Sequence, residues 1–331
     1  MAAKVSIVIP TYNPGALLSR MLDSVLAQTM RDFELICVDD GSTDGTREQL
    51  AQYAKEDKRI KVILQKNAGA GAARNNGLLA SSGDFVYFCD HDDALHPRLL
   101  EFALHCAMKY DADAVFLSSV QVHDEGPICF EDLGDFSGIR TICTDNLFDY
   151  LEPKDGFCLS IPPWGYLMRR DIFLAFKDVG QFKYARFGYL VRLFSAAKRA
   201  VVTDARLYYY TCFNVSMSRQ SISSATIQDF HRSLVDAGEV LNALDSPVTA
   251  AMRRPIMKYL FAKNLKYQLN AIRRSQNKMP PDKVRELKRL FSDELSDLQR
   301  NGLICWTACN IRHSIVYLIL LLGRKLRRNL S

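Results

Sequence analysis

The sequence predicts an α/β fold, an open Rossmann-like sheet with helices on both faces, followed by a helical C-terminal region. Over the first 120 residues, short apolar β-branched runs alternate with helical periods, which is the pattern of layered βαβ units. From 226 to 300 the helical period persists without strands, broken at Pro247, Pro255 and Pro280-Pro281. Composition agrees. The 331 residues are 48% apolar and 24% charged, with 17 Gly and 11 Pro, which excludes a disordered or fibrous chain and suits about two domains.

VSIVI (5 to 9) reads as the first strand. Asn13-Pro14 then signals a helix whose apolar stripe is Leu17, Leu18, Met21, Leu22, Val25 and Leu26. FELICVD (33 to 39) is a second strand, a helix follows from about Thr43, and a third strand occupies 60 to 64. Another helix begins near Gly71. FVYFCD (85 to 90) is the fourth strand, Pro97 opens a helix at its first turn, and DAVFLSS (113 to 119) is the fifth strand. The region 121 to 163 carries scattered Gly, Pro and Asp and reads as loops. Trp164 to Phe176 reads as helical, as does 188 to 198; AVVTD (200 to 204) and LYYYT (207 to 211) read as two short strands.

Charge is unevenly spread. Residues 1 to 130 hold 12 Lys/Arg against 18 Asp/Glu, net −6, and the remainder hold 31 against 19, net +12. An acidic N-terminal half argues against nucleic acid as a partner, because backbone phosphates require concentrated Lys and Arg. Nine cysteines without a CxxC pair speak against a disulfide framework or zinc site. With no signal-peptide pattern in MAAKVSIVIPTYN, a reducing, cytoplasmic location is expected.

The C-terminal segment 302 to 331 is amphipathic and basic. Only Ile315 to Leu322 is uninterrupted apolar sequence, too short for the roughly 20 residues that span a bilayer. Ile315, Leu318, Ile319, Leu322 and Leu326 share one helical face, and Arg324, Lys325, Arg327 and Arg328 lie beside it. This is the composition of an interfacial helix on an anionic leaflet. The alternative is a terminal helix packed on the domain with a solvated basic tail.

In sheets of this class, ligands sit at the carboxyl edge of the strands, and the unusual residues fall there. The four strand ends carry Pro10-Thr11-Tyr12-Asn13, Asp39-Asp40-Gly41-Ser42, Asn67-Ala68-Gly69-Ala70-Gly71 and Asp90-His91-Asp92-Asp93. Three carboxylates within four residues repel unless a cation joins them, and Asp92 and Asp93 offer the hard oxygens that suit Mg²⁺ or Mn²⁺ with phosphate and water completing the shell. The other reading is an acidic turn that caps the following helix. Asp39 or Asp40 can accept from a base N–H or sugar hydroxyl, Tyr12 offers a ring for a base, and Arg74 suits a diphosphate. Gly69-x-Gly71-x-x-Arg74 copies a dinucleotide fingerprint only superficially, since Arg replaces its third glycine.

Together, VSIVIPTYN, DFELICVDDGSTDGT, NAGAGAARNNGL and SGDFVYFCDHDD resemble the family 2 glycosyltransferases of the GT-A fold, over about residues 4 to 110. The resemblance implies an inverting transferase that takes a nucleotide-diphosphate sugar, commonly a UDP-sugar, with Mg²⁺ or Mn²⁺. It implies nucleotide-sugar binding at Pro10, Thr11, Tyr12 and Asp40, and metal and diphosphate binding at Asp92 and Asp93; a glycan or lipid-linked hydroxyl acceptor is expected from the Ile315 to Arg328 segment. Domain boundaries follow: a transferase domain over 1 to 215, with donor half 1 to 120 and acceptor half 121 to 215; a helical region over 216 to 301; and the membrane-associating segment 302 to 331 on the inner face of the cell membrane. Trp164 falls on the acceptor side.

The sequence departs from the family at the general base. Between Trp164 and Ala197-Lys198-Arg199, the stretch Gln181 to Tyr189 holds no acid. The nearest carboxylates are Asp178 and Asp204. Asp178 is the base candidate, its other reading being a solvated turn before Gly180. The alternative function is a sugar-nucleotide-binding homologue that has lost turnover and partners an active transferase.

Overall fold

The computed structural model describes residues 4–123, 128–151, 154–157, 159, 162–176, 187–212, 223–243, 256–257, 260 and 280–300. Asp178 and the segment 302 to 331 lie outside them. The chain divides into two compact units, Met1–Arg219 and Gln220–Ser331.

The first unit begins with three βα repeats: β1 (Val5–Thr11), α1 (Leu17–Leu26), β2 (Phe33–Asp39), α2 (Thr46–Glu56), β3 (Ile60–Leu64) and α3 (Ala70–Ala80). Then come β4 (Phe85–Phe88), β5 (Ala94–Leu95), α4 (Leu99–Lys109), β6 (Ala114–Val122) and β7 (Thr141–Thr144). The unit closes with β8 (Tyr166–Arg169), α5 (Arg170–Ala175), α6 (Phe187–Ala196) and β9 (Ala200–Thr211). Among the described residues these strands form one sheet in the order β3-β2-β1-β4-β8-β6-β9-β5, with β7 paired to β9.

β1, β2, β3 and β4 run parallel, in register from Val5↔Phe33 to Thr11↔Asp39. Their carboxyl ends therefore share one edge. All residues of β1, β2 and β4 are buried, which is why these strands are continuous apolar runs instead of alternating ones. α1 covers one face through Leu18, Met21, Leu22 and Val25, the stripe its 3.6-residue period predicts.

Four expectations change, the first being that 121 to 163 is not all loop, since it holds the strand β7 paired with β9. Trp164 to Phe176 is not one helix: Trp164 sits in a 3₁₀ turn, Tyr166–Arg169 is a strand, and the helix begins only at Arg170. A short apolar run buried on both faces has no period that separates strand from helix. β8 enters antiparallel between β4 and β6, so the sheet is mixed. AVVTD and LYYYT are one 12-residue strand, β9, whose pairing with β6 shifts register around Thr203 to Ala205; this bulge resembles a break in sequence. The helices expected from Thr43 and at Pro97 start at Thr46 and Leu99.

In the second unit, α7 (Ser224–Ala243) and α8 (Pro281–Arg300) pack on each other, and His231 Nε2 lies 3.2 Å from Asp297 Oδ2. Among the described residues, no helix is long and apolar enough to cross a membrane.

Candidate active site

The parallel strands deliver their terminal loops to one crevice. At the end of β1, the Thr11 carbonyl accepts the Asp40 amide at 2.8 Å and the Pro10 carbonyl meets His91 Nδ1 at 3.1 Å. The loops after β1 and β2 interlock, since the Asn13 side chain accepts the Thr43 amide and Ser42 Oγ accepts the Asn13 amide. Tyr12 between them is 47% exposed, so its ring is open to a ligand.

Asp39 and Asp40 are buried, each with committed partners. Asp39 accepts the Ser42 amide at 3.1 Å and Arg47 Nε at 2.9 Å. Asp40 accepts Gln65 Nε2, the Ala68 amide and the Gly69 amide at 2.7, 2.7 and 2.8 Å. Its carboxylate thus anchors the loop that leads into α3 and carries Asn67. Gly41, at φ +81°, closes the turn; a Cβ there would stand 3.0 Å from the Asn67 amide nitrogen.

Gly71 lies buried in the first turn of α3, and Arg74 one turn on reaches Asp90, with Nη2 2.5 Å from Oδ1. Arg74 Nε is buried without a hydrogen-bond partner among the described residues, an unused donor of the kind a diphosphate oxygen satisfies.

The three carboxylates after β4 face different ways. Asp90 pairs with Arg74. Asp93 is fully buried and faces the sheet, accepting the Thr211 amide at 2.7 Å and the Tyr208 hydroxyl. Burial, reinforced by the Asp90 and Asp92 charges, pushes its carboxyl well above the usual range, against those two bonds. Among the described residues, no other residue's side chain or amide donates a hydrogen bond to the Asp92 carboxylate, which meets its own amide. Burial raises its pKa, His91 opposes the rise and Asp90 adds to it. A partly buried carboxylate beside another is a site that a divalent cation would stabilise, so Asp92 fits Mg²⁺ or Mn²⁺ better than Asp93 does. Among the described residues no three His, Cys, Asp or Glu side chains cluster as a metal site.

The aromatic side is built by β8 and β9. The Trp164 indole stacks on Tyr208 at 4.5 Å and 5°, and on Tyr210 at 5.4 Å and 20°. Asp204 is taken by Arg140, through the amide at 3.0 Å and Nε at 2.7 Å.

Sequence reasoning passed over Tyr208, Thr211 and a polar stripe that runs along α1 and just past its end to Gln28. Arg20 Nη2 donates to the Asp92 carbonyl at 2.9 Å and to Thr211 Oγ1. Ser24 Oγ accepts the Leu95 amide, and Gln28 donates to the His96 carbonyl and accepts the Leu100 amide. The i, i+4, i+8 spacing of these polar residues beside an apolar stripe was the available signal.

The family described as glycosyl transferase family 2 matches residues 6–153. That segment is similar to the family 2 glycosyltransferase domain over those residues. The glycosyltransferase GlyA of Streptococcus pneumoniae is 32% identical over 225 residues, covering 65% of this chain and 32% of that protein. The chain covers 63% and 61% of two further glycosyltransferase relatives. Among solved structures, residues 1–349 of S. aureus TarS in complex with UDP-GlcNAc align with TM-score 0.61 at 18% identity, over 90% of this chain and 92% of that one. A Pyrobaculum calidifontis mannosyltransferase in complex with GDP-Man and Mn²⁺ aligns with TM-score 0.54 at 16% identity, over 98% and 88%. These structures share the GT-A fold with the domain described here.

Proposed function

We propose that the chain is an inverting glycosyltransferase that moves a hexosyl or N-acetylhexosaminyl group from a UDP-sugar to a hydroxyl of a glycan or lipid-linked acceptor. The observation that carries this reading is that Tyr12, the Asp40-anchored loop, the Arg74–Asp90 pair and Asp92 all lie in loops, or in the first turns of α3, at one edge of the parallel strands. The TarS complex with UDP-GlcNAc supports a nucleotide-sugar donor, and the GDP-Man and Mn²⁺ complex supports a divalent metal.

In this mechanism Tyr12 stacks on the base, and the Asn67 to Gly71 loop with Arg74 lies along the diphosphate. Asp92 would hold the Mg²⁺ or Mn²⁺ on the loop that Asp93 fixes, and the metal would supply charge stabilisation for the departing diphosphate. The acceptor oxygen forms its bond to the anomeric carbon as the bond to the phosphate oxygen breaks, and the acceptor proton passes to a base, for which Asp178 is the candidate. The acceptor lies beside Trp164, the basic amphipathic composition of 302 to 331 supports a contact with an anionic membrane surface, and the role proposed with it is polysaccharide or glycolipid assembly.

The acid-free stretch from Gln181 to Tyr189 favours a second reading, a sugar-nucleotide-binding partner without turnover. Hydrolysis and calorimetric binding of UDP-, GDP- and dTDP-sugars with Mn²⁺ separate the two. Turnover of one donor, lost in Asp92→Asn and in Asp178→Asn, supports the transferase. Binding without turnover, with lipid-linked acceptors present, supports the partner, and neither binding nor turnover rejects both. Sedimentation with anionic vesicles, lost on deleting 302 to 331, tests the membrane contact.

A further inference from the structure

Two hydrogen-bonding groups within four residues of β9 and one side chain of α1 converge on the loop that carries Asp92. Tyr208 is fully buried, and its hydroxyl makes two bonds of opposite sense: it accepts the Asp90 amide at 3.1 Å and donates to Asp93 Oδ2. Thr211 gives its amide to the other Asp93 oxygen at 2.7 Å. Arg20 joins the Asp92 carbonyl to Thr211 Oγ1. The loop is therefore held at its first, third and fourth residues. A phenol suits this position because one oxygen both accepts an N–H and donates to a carboxylate, which neither Phe nor Lys can do.

The ring that carries the hydroxyl is fixed as well. Trp164 lies flat against it, and Leu95 and Ala94 of β5 pair with Tyr208 and Tyr209 in the sheet. Asp90 is meanwhile held by Arg74, so the loop's fixed groups leave the Asp92 carboxylate as the one to which no other residue among those described donates a hydrogen bond.

We propose that Tyr208 is a positioning residue of the site, its hydroxyl setting the 90 to 93 loop in the shape that presents Asp92 outward while Asp93 stays inside. The functional part of this inference rests on the nucleotide-sugar reading above, and the mechanical part rests on the hydrogen bonds alone. Tyr208 acts through Asp90 and Asp93 and touches no substrate.

The test uses full-length Tyr208→Phe, which removes one oxygen and keeps the ring on Trp164. Two readouts are taken: amide hydrogen exchange across residues 89 to 95 with 33 to 39 as internal reference, and Mn²⁺ affinity in the presence of UDP by electron paramagnetic resonance. The expected result is exchange at least tenfold faster in 89 to 95 with 33 to 39 unchanged, and Mn²⁺–UDP affinity about tenfold weaker, which is about 1.4 kcal/mol. Unchanged exchange in 89 to 95 overturns the positioning role, and faster exchange with unchanged affinity overturns its link to the metal. If the wild type binds no Mn²⁺ with UDP, the nucleotide-sugar reading falls, and the exchange result alone decides whether Tyr208 shapes the loop. Should Tyr208→Phe fail to fold, the isosteric Asp93→Asn turns one of the two accepting oxygens into an NH₂ donor, so the Tyr208 hydroxyl and the Thr211 amide cannot both donate to it. Faster exchange confined to 89 to 95 then supports the proposal, and unchanged exchange rejects it.

Discussion

The Asp40 carboxylate lies 2.8 Å from the Gly69 amide and 2.7 Å from the Ala68 amide, so the residue that follows β2 sets the loop that opens α3. Both oxygens are committed and the side chain is 2% exposed. Asp40→Asn would place an NH₂ against a backbone N–H and forfeit a charge-assisted bond, at a cost of about 2 kcal/mol. The expected outcome is a melting temperature lower by about 5 °C together with weaker donor binding. Donor binding lost at an unchanged melting temperature would instead make Asp40 a direct nucleotide contact.

Arg74 carries the next prediction. Arg74→Lys keeps the positive charge beside Asp90 but loses the planar fork whose Nε is buried and unpartnered. The protein should fold with a near-normal melt and bind the donor about tenfold more weakly, roughly 1.4 kcal/mol. Arg74→Met leaves Asp90 uncompensated and should lower stability by about 3 kcal/mol in a denaturant titration. Equal donor affinities for wild type and Arg74→Lys would remove the guanidinium from the site.

How legible the molecule is in its sequence depends on where each element's information resides. β1, β2 and β4 announce themselves because burial on both faces enforces an unbroken apolar run. β8 does not, since three buried residues and Arg169 between β4 and β6 owe their conformation to neighbours distant in sequence. The crevice is visible because Asp, Gly and Asn cluster at strand ends. The division of labour within it is not: whether Asp92 or Asp93 faces outward is decided by Tyr208 and Thr211, some 115 residues away. Arg20 shows the same limit, its role fixed by the loop it meets and not by its place in α1.

Glu34 gives a prediction in pH. On β2 it accepts the Ser6 hydroxyl, the Ser82 amide and hydroxyl, and Lys61 Nζ at 2.6 to 2.8 Å. Burial works to raise its pKa, but the Lys61 pair and the Ser6 and Ser82 bonds outweigh it and bring the carboxyl from 4.5 down to about 2. A folded pKa below the unfolded one means the unfolded chain binds more protons in that window. Glu34 therefore contributes its stability above about pH 4.5 and loses it as pH falls through about 2. Glu34→Gln should cost about 2 kcal/mol at pH 7, with the gap to wild type closing on acidification toward pH 2. A pH-independent gap in urea titrations would show that the carboxylate charge plays no part.

Gly77 offers a test of packing at the site's back wall. It lies in the middle of α3, where Ala would ordinarily be favoured by about 1 kcal/mol. A Cβ at that position would stand 2.3 Å from Val8 Cγ1 and 3.2 Å from Val38 Cγ2. Both valines are fully buried in adjacent strands, and a β-branched side chain there has no second rotamer to retreat into. The overlap should cost about 1 to 3 kcal/mol, more than the helical gain. Relief by lifting α3 off β1 would carry Arg74, one turn away, from Asp90. Gly77→Ala should therefore lower both the urea midpoint and donor affinity, whereas a raised midpoint with normal affinity would show that Val8 repacks at no cost.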